Sequence, residues 1–201
     1  VEISKDNPPT APVDNTFGST RRSAFQRELH AALRPIYYPT PIDVVGASAK
    51  PGKLGFRIIQ NLVDFGYAGT LYAVHPTANR IYGCTVFPTI DDLPEHVDRA
   101  IIAIGAKGVP NALRQCADKG IKVAQVLTAG FAEWDEEGAE LEGTIRDIAA
   151  STGLRIVGPN TIGTYCGMSR ITMSTPRHAP EMPGGITFIS QSGTYAWDMI
   201  H

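Results

Sequence analysis

Hydrophobic and polar positions along the chain fall into a repeating strand–helix rhythm. The first 22 residues are polar and proline-bearing and read as a flexible arm. From Ser23, Phe25, Leu29, Ala32 and Leu33 recur at helical spacing, and Pro35 marks the end of that helix. The alternation proper then begins. Ile42–Gly46 reads as a strand, Lys53–Phe65 as a helix with Leu54, Ile58, Leu62 and Phe65 on one side, and Thr70–Val74 as a second strand. A loop holding Tyr82-Gly83 follows. Ala100–Ile104 is a third strand, apolar throughout, as a strand covered on both faces should be. Val109–Lys119 is helical, Lys122–Leu127 a fourth strand, Glu136–Thr152 a helix stopped by Gly153, and Arg155–Val157 a short fifth strand. This order predicts an α/β domain over residues 23–163 with a mostly parallel sheet.

Right-handed crossovers put the C-terminal ends of such strands on one rim, where a ligand is expected near the reversal of strand order. The loops on that rim are Gly46–Gly55, His75–Ile81, Gly105–Val109, Thr128–Trp134 and Gly158–Gly163. Residues 164–183 hold Pro176, Pro180 and Pro183 and read as a connector. Beyond it, Gly185–Ile189 reads as a strand, Ser190-Gln191-Ser192-Gly193-Thr194 as a turn, and Tyr195 onward as a helix. One strand and half a helix cannot bury a core of their own. Residues 184–201 are therefore expected to be the truncated start of a second domain, or to dock on the first.

Composition narrows the class. The chain has 201 residues, is 43% hydrophobic and carries a net charge of −2, with no dense Lys/Arg run to attract nucleic acid. No apolar run has the length of a membrane span, and no signal peptide is visible. Val1 is not Met, so the true start is expected to lie upstream. Cys84, Cys116 and Cys166 lack metal-ligand spacing and are read as reduced and structural, which fits a cytoplasmic location.

The chemistry concentrates at Gly46–Gly55. A strand, a glycine-spaced loop and a helix start form an anion site, because the first helical N–H groups are unpaired and the dipole is positive there. Its glycines are Gly46, Gly52 and Gly55, and it carries Lys50 and Lys53. That is longer than the dinucleotide fingerprint, and no carboxylate ends the second strand to hold a ribose. An NAD site therefore loses its anchor. An NADP site keeps Arg80 as a candidate. Gly52-Lys53-Leu54 lacks the hydroxyl of a P-loop. Ser190 and Ser192 between strand and helix invite comparison with a serine-hydrolase turn, but the flanking glycines of G-x-S-x-G are missing. An N-cap pair is the structural alternative. Asp135-Glu136-Glu137 reads as the capped acidic first turn of a helix. Phe131 and Trp134 are candidates for adenine stacking or for core packing, and His75 for a turn or a ligand contact.

Five segments then appear in order: Val44-Val45-Gly46-Ala47-Ser48, Val74-His75-Pro76, Thr128-Ala129-Gly130-Phe131, Gly158-Pro159-Asn160 and Ile189-Ser190-Gln191-Ser192-Gly193. Together they resemble the CoA-binding half of ADP-forming (NDP-forming) acyl-CoA synthetases, relatives of the succinyl-CoA synthetase α subunit. The resemblance covers roughly Leu33 to His201. It implies a Rossmann-like CoA-binding domain followed by a flavodoxin-like one. Gly46, Ser48, Lys50 and Gly52 would hold the nucleotide end of coenzyme A. His75-Pro76 stands where the family has Asn-Pro-Lys, with Thr77 in the Lys position. Gly105, Ala106, Thr128, Ala129 and Gly130 would line the rest of the CoA path. Ser190, Ser192, Gly193 and Thr194 would form the helix start that cradles a phosphohistidine.

The resemblance further implies an acid–CoA ligase working through an acyl phosphate and a phosphohistidine. ATP or ADP and Mg would be bound outside this chain, on an ATP-grasp domain or subunit within an oligomer. The phosphohistidine is expected beyond His201, so no catalytic residue is assigned here. The alternatives are a CoA-binding regulatory module of a protein acyltransferase and an NADP-dependent oxidoreductase.

Overall fold

The computed structural model describes residues 19–94, 96–173 and 190–200. The chain divides into two compact units, Val1–Leu33 and Arg34–His201. The first helix, α1, spans Ser19–Tyr37 across that division. It starts four residues earlier than the periodicity predicts and runs through Pro35. A proline in the last turn removes only one N–H, and Tyr38 N–H still reaches the Arg34 carbonyl at 2.7 Å. Phe25 and Leu29 stand 66% and 43% exposed.

The larger unit is built on seven strands: β1 (Ile42–Val45), β2 (Leu71–Val74), β3 (Arg80–Ile81), β4 (Cys84–Phe87), β5 (Arg99–Ile102), β6 (Val123–Val126) and β7 (Arg155–Val157). Their order is β3-β4-β2-β1-β5-β6-β7, parallel except for β3 against β4. The fold is thus the expected α/β, Rossmann-like arrangement with a mostly parallel sheet. Strand order reverses between β1 and β5, with Val45 level with both Val74 and Ile102. Strands β3 and β4 form a hairpin where a loop is predicted. Its turn residues, Tyr82 (φ +46) and Gly83 (φ +84), both take the left-handed backbone that a tight hairpin needs.

Alternation along β1 sends Ile42 and Val44 to one face and Val45 to the other. Helix α2 (Leu54–Asp64) covers the first face through Ile58, Ile59 and Leu62. Helices α3 (Val109–Asp118) and α4 (Glu136–Thr152) cover the second through Val109, Leu113, Ile145 and Ile148. The predicted bounds of α4 and β7 match the structure. Asp135 accepts the Gly138 N–H at 2.7 Å and caps one end of α4, and left-handed Gly153 closes the other.

Two charged residues lie inside the sheet. Asp43 is fully buried, and neither carboxyl oxygen has a hydrogen-bond partner. Arg99, the first residue of β5, is also fully buried. It donates to the Ile36 carbonyl and, at 2.8 Å, to the Thr164 hydroxyl. So β5 begins on a paired cation rather than on an apolar residue.

The stretch predicted to start a connector at 164 instead continues the domain. Cys166 and Ile171 form an antiparallel bridge, Ile171, Thr172 and Met173 are buried, and Asn61 of α2 donates to the Met173 carbonyl at 3.0 Å. This return segment closes the sheet face beside α2. Helix α5 spans Gly193–Ile200, starting two residues before the predicted point. The arm over 1–18, the rest of the connector, the strand predicted at 185–189 and His201 lie outside the described residues.

Candidate functional site: the glycine loop and its rim

The site begins where β1 ends. Gly46 takes φ +86, and a Cβ there would strike the Ala103 carbonyl and the Ile104 side chain at the end of β5. Only glycine lets the two strand ends approach this closely. Gly55 in the first turn of α2 lies against the Gly46 carbonyl, so a side chain there would push helix and loop apart. The Ser48 hydroxyl accepts the Lys50 N–H at 3.1 Å and shapes the loop between. Gly52, at φ +85, faces open space.

Helix α2 starts without a cap. Lys53 occupies the N-cap with no side-chain hydrogen bond, and the first turn holds no acidic residue. The Arg57 N–H bonds the Lys53 carbonyl at 3.0 Å, which leaves earlier N–H groups for another acceptor. From residue 44 to 63 the chain carries Lys50, Lys53 and Arg57 and no Asp or Glu. All three cations are exposed. Helix dipole, free donors and side-chain charge therefore point the same way, toward an anion.

The neighbouring loops meet this one in sequence along the rim. Gly105 leads β5 into a short turn, Ala106–Gly108. The Thr128 hydroxyl donates to the Ile104 carbonyl at 2.6 Å, and the Asn160 N–H to the Thr128 carbonyl at 2.9 Å. Gly130 (φ +97) has its Cβ direction 3.7 Å from the Ala106 Cβ. Gly46, Gly105, Ala106, Thr128, Ala129 and Gly130 thus line one continuous edge. His75 and Pro76 stand at the end of β2, on the other side of β1. The His75 Nδ1 accepts the N–H groups of Thr77 at 3.2 Å and Ala78 at 3.1 Å, so the ring builds a turn. Phe131 is fully buried, which removes it as a stacking candidate, while Trp134 is 78% exposed. Ser190 accepts the Ser192 N–H at 3.1 Å, and Ala196 N–H reaches the Ser192 carbonyl at 3.1 Å, making Ser192 the residue before the helix. Gly193 lies against Ile162 of the loop after β7.

One contributor is missing from the sequence reading. The Glu133 carboxylate accepts from the Gly130 N–H at 2.8 Å and from the Phe131 N–H at 3.2 Å. The Gly130 N–H, first of these bonds, holds its carboxyl below the usual range. Lys107 pairs with Glu137 at 2.7 Å across the same edge, and that carboxylate holds the ammonium above its ordinary value. The α4 end of the rim is therefore capped and acidic, whereas the α2 end is uncapped and basic. A cleft of about 340 Å³ beside Tyr67, Leu71, Tyr82 and Cys84 lies away from the strands' C-terminal ends and gathers no charge.

Residues 41–166 match the family model of the CoA binding domain. The chain belongs to the CoA-binding domain family. It is 41% identical over 163 residues to the ADP-forming acetate–CoA ligase II of Archaeoglobus fulgidus, covering 81% of this chain and 24% of that protein. It is 36% identical over 166 residues to the α subunit of the ADP-forming acetate–CoA ligase I of Pyrococcus furiosus, covering 81% and 36%. Among solved structures, the dinucleotide forming acetyl-coenzyme A synthetase 1 of Candidatus Korarchaeum cryptofilum, in complex with phosphate and ADP, superposes with a TM-score of 0.74. That pair is 34% identical and covers 84% of this chain and 36% of the other. This member of the CoA-binding domain family thus spans about a quarter to a little over a third of these relatives' lengths.

Proposed function

We propose that this chain binds coenzyme A along the rim and serves as the CoA-binding part of an ADP-forming acid–CoA ligase. The observation that carries the reading is the basic, uncapped start of α2 beside the Gly46 loop, at the reversal of strand order. The phosphates would lie on that helix start, within reach of Lys50 and Lys53. The pantetheine arm would run past Gly105 and Ala106 toward Thr128–Gly130. The contrast with the acidic α4 end supports this direction, because phosphate is repelled there.

In the proposed reaction a phosphohistidine elsewhere in the protein hands its phosphoryl group to the carboxylate of an acid, and the CoA thiolate then attacks the resulting acyl phosphate at its carbonyl, forming the thioester and releasing inorganic phosphate. Ser190, Ser192, Gly193 and Thr194 at the start of α5 would receive the phosphohistidine. Among the described residues no cluster of His, Cys, Asp and Glu is placed to hold a metal ion. We assign ATP or ADP and Mg to an ATP-grasp domain or subunit, in an oligomeric and cytoplasmic enzyme. No helix among the described residues is long and apolar enough to cross a membrane.

Neither alternative draws support from the relatives, whose names are those of ligases. Calorimetric titration with CoA and with NADPH tests the reading. CoA should bind and NADPH should not; tight NADPH binding with no CoA binding would overturn it.

A further inference from the structure

We infer that Glu133 is a positioning residue: its carboxylate fills the backbone nest of Gly130 and Phe131, fixing the Thr128–Gly130 wall so that it accepts the neutral arm of CoA and refuses phosphate. This rests on the CoA reading above and deepens it.

The local geometry comes from Gly130, whose positive φ turns its N–H to the same side as that of Phe131. Successive N–H groups aimed at one point form an anion-binding concavity. Here the anion belongs to the chain. One Glu133 oxygen takes the Gly130 N–H at 2.8 Å and the other takes Phe131 at 3.2 Å. The next N–H, of Ala132, goes to Glu142 at 3.2 Å, and Glu142 is neutralised in turn by Arg146 at 2.7 Å. Three consecutive donors are thus satisfied by carboxylates.

The two halves of the loop are held differently. Its far half is anchored by buried Phe131, by Gly138 against the Phe131 carbonyl, and by the Asp135 cap. Its near half, facing the proposed ligand, is tied by the Thr128 bond to β5, the Asn160 bond and Glu133. Removing the carboxylate frees Ala129 and Gly130 to move while leaving the core anchors in place. It also opens two donors that an anion can occupy. Filled, the nest offers a ligand no free donors and presents a negative charge. A pantetheine arm, uncharged and amide-bearing, suits such a wall; a pyrophosphate does not.

The test compares the wild-type chain with Glu133→Ala and Glu133→Gln by calorimetry, using CoA and adenosine 3′,5′-bisphosphate. The bisphosphate reports on the nucleotide end alone. In Glu133→Ala, CoA affinity should fall about tenfold, a loss of about 1.4 kcal/mol, while bisphosphate affinity stays within about twofold of wild type. Formate, a free carboxylate, should restore CoA affinity in Glu133→Ala and leave wild type unchanged. Glu133→Gln keeps one acceptor oxygen and should fall between the two. Unchanged CoA affinity in both variants overturns the assignment, as does an equal loss for both ligands. If Glu133→Ala does not fold, Glu133→Gln decides by the same two-ligand comparison. Failure of the wild-type chain to bind CoA would instead overturn the functional reading.

Discussion

Replacing Asp43 by asparagine should flatten the pH dependence of stability between about pH 5 and 8.5. Asp43 has no exposed surface and no hydrogen-bond partner for either oxygen. Burial, the largest cause, pushes its carboxyl up from 3.8 to about 8. The nearest coupled group, the Cys116 thiol of α3, is itself pushed up by burial first and by Asp43 second, so it stays neutral through this range. Arg99 lies on the opposite sheet face and is engaged elsewhere.

The sign follows from proton counting. Between about pH 4 and 8 the native state holds a proton on Asp43 that the unfolded chain has released. Stability therefore falls as pH rises through that window and levels off above it. A shift of about four units at about 1.4 kcal/mol each gives a total of roughly 6 kcal/mol, of which about 4 kcal/mol is lost by pH 7. The asparagine side chain has nearly the same shape and does not titrate, so the stability of the variant should exceed that of the parent increasingly above about pH 5. Urea denaturation of both proteins at about pH 5, 7 and 8.5 reads this directly, and the difference between them cancels the histidines. Parallel stability profiles, agreeing within about 1 kcal/mol across the window, would refute the claim that Asp43 is buried and unpaired.

Lys50→Ala together with Lys53→Ala should weaken CoA binding about tenfold or more and reduce its salt dependence, measured by calorimetry at two ionic strengths. Gly55→Ala should destabilise by about 1–3 kcal/mol and abolish CoA binding, since the added methyl group meets the Gly46 carbonyl; melting and titration check the two effects separately. Arg99→Met should cost about 1–3 kcal/mol by removing the donor to the buried-side Ile36 carbonyl and leaving the Thr164 hydroxyl with its Gln125 bond alone, read as a lower urea midpoint. Asp135→Ala should cost about 1 kcal/mol through the lost cap of α4, with CoA affinity retained.

What was legible in the sequence was whatever local chemistry decides. Asp135 and Gly153 are strong stop signals, and the bounds of α4 follow from them. The strand–helix rhythm yielded the sheet and its rim because apolar runs between glycines leave few other arrangements. The β3–β4 hairpin was hidden because its turn is Tyr82-Gly83, and a tyrosine does not advertise a left-handed backbone. The return segment through Met173 was hidden because its partners, Asn61 and Arg99, are more than sixty residues away in the chain. The basic charge of the glycine loop and the missing acidic cap of α2 could be read from residue types alone. Glu133 could not, because its role depends on the direction of two N–H groups, which Gly130 sets only once folded. Asp43 escaped for a similar reason: in a four-residue strand, one carboxylate looks like an ordinary polar face until the helix above it is in place.

The Arg99 guanidinium has a consequence for how this domain is carried. It bonds Ile36, where the chain enters the sheet, and Thr164, after the chain leaves it. Entry and exit are stitched together by one side chain inside the fold. Tension or disorder in whatever flanks the domain must break that stitch before it can peel a strand. On the C-terminal side the return segment through Met173, held by the Asn61 bond, stands outside that stitch and must give way first.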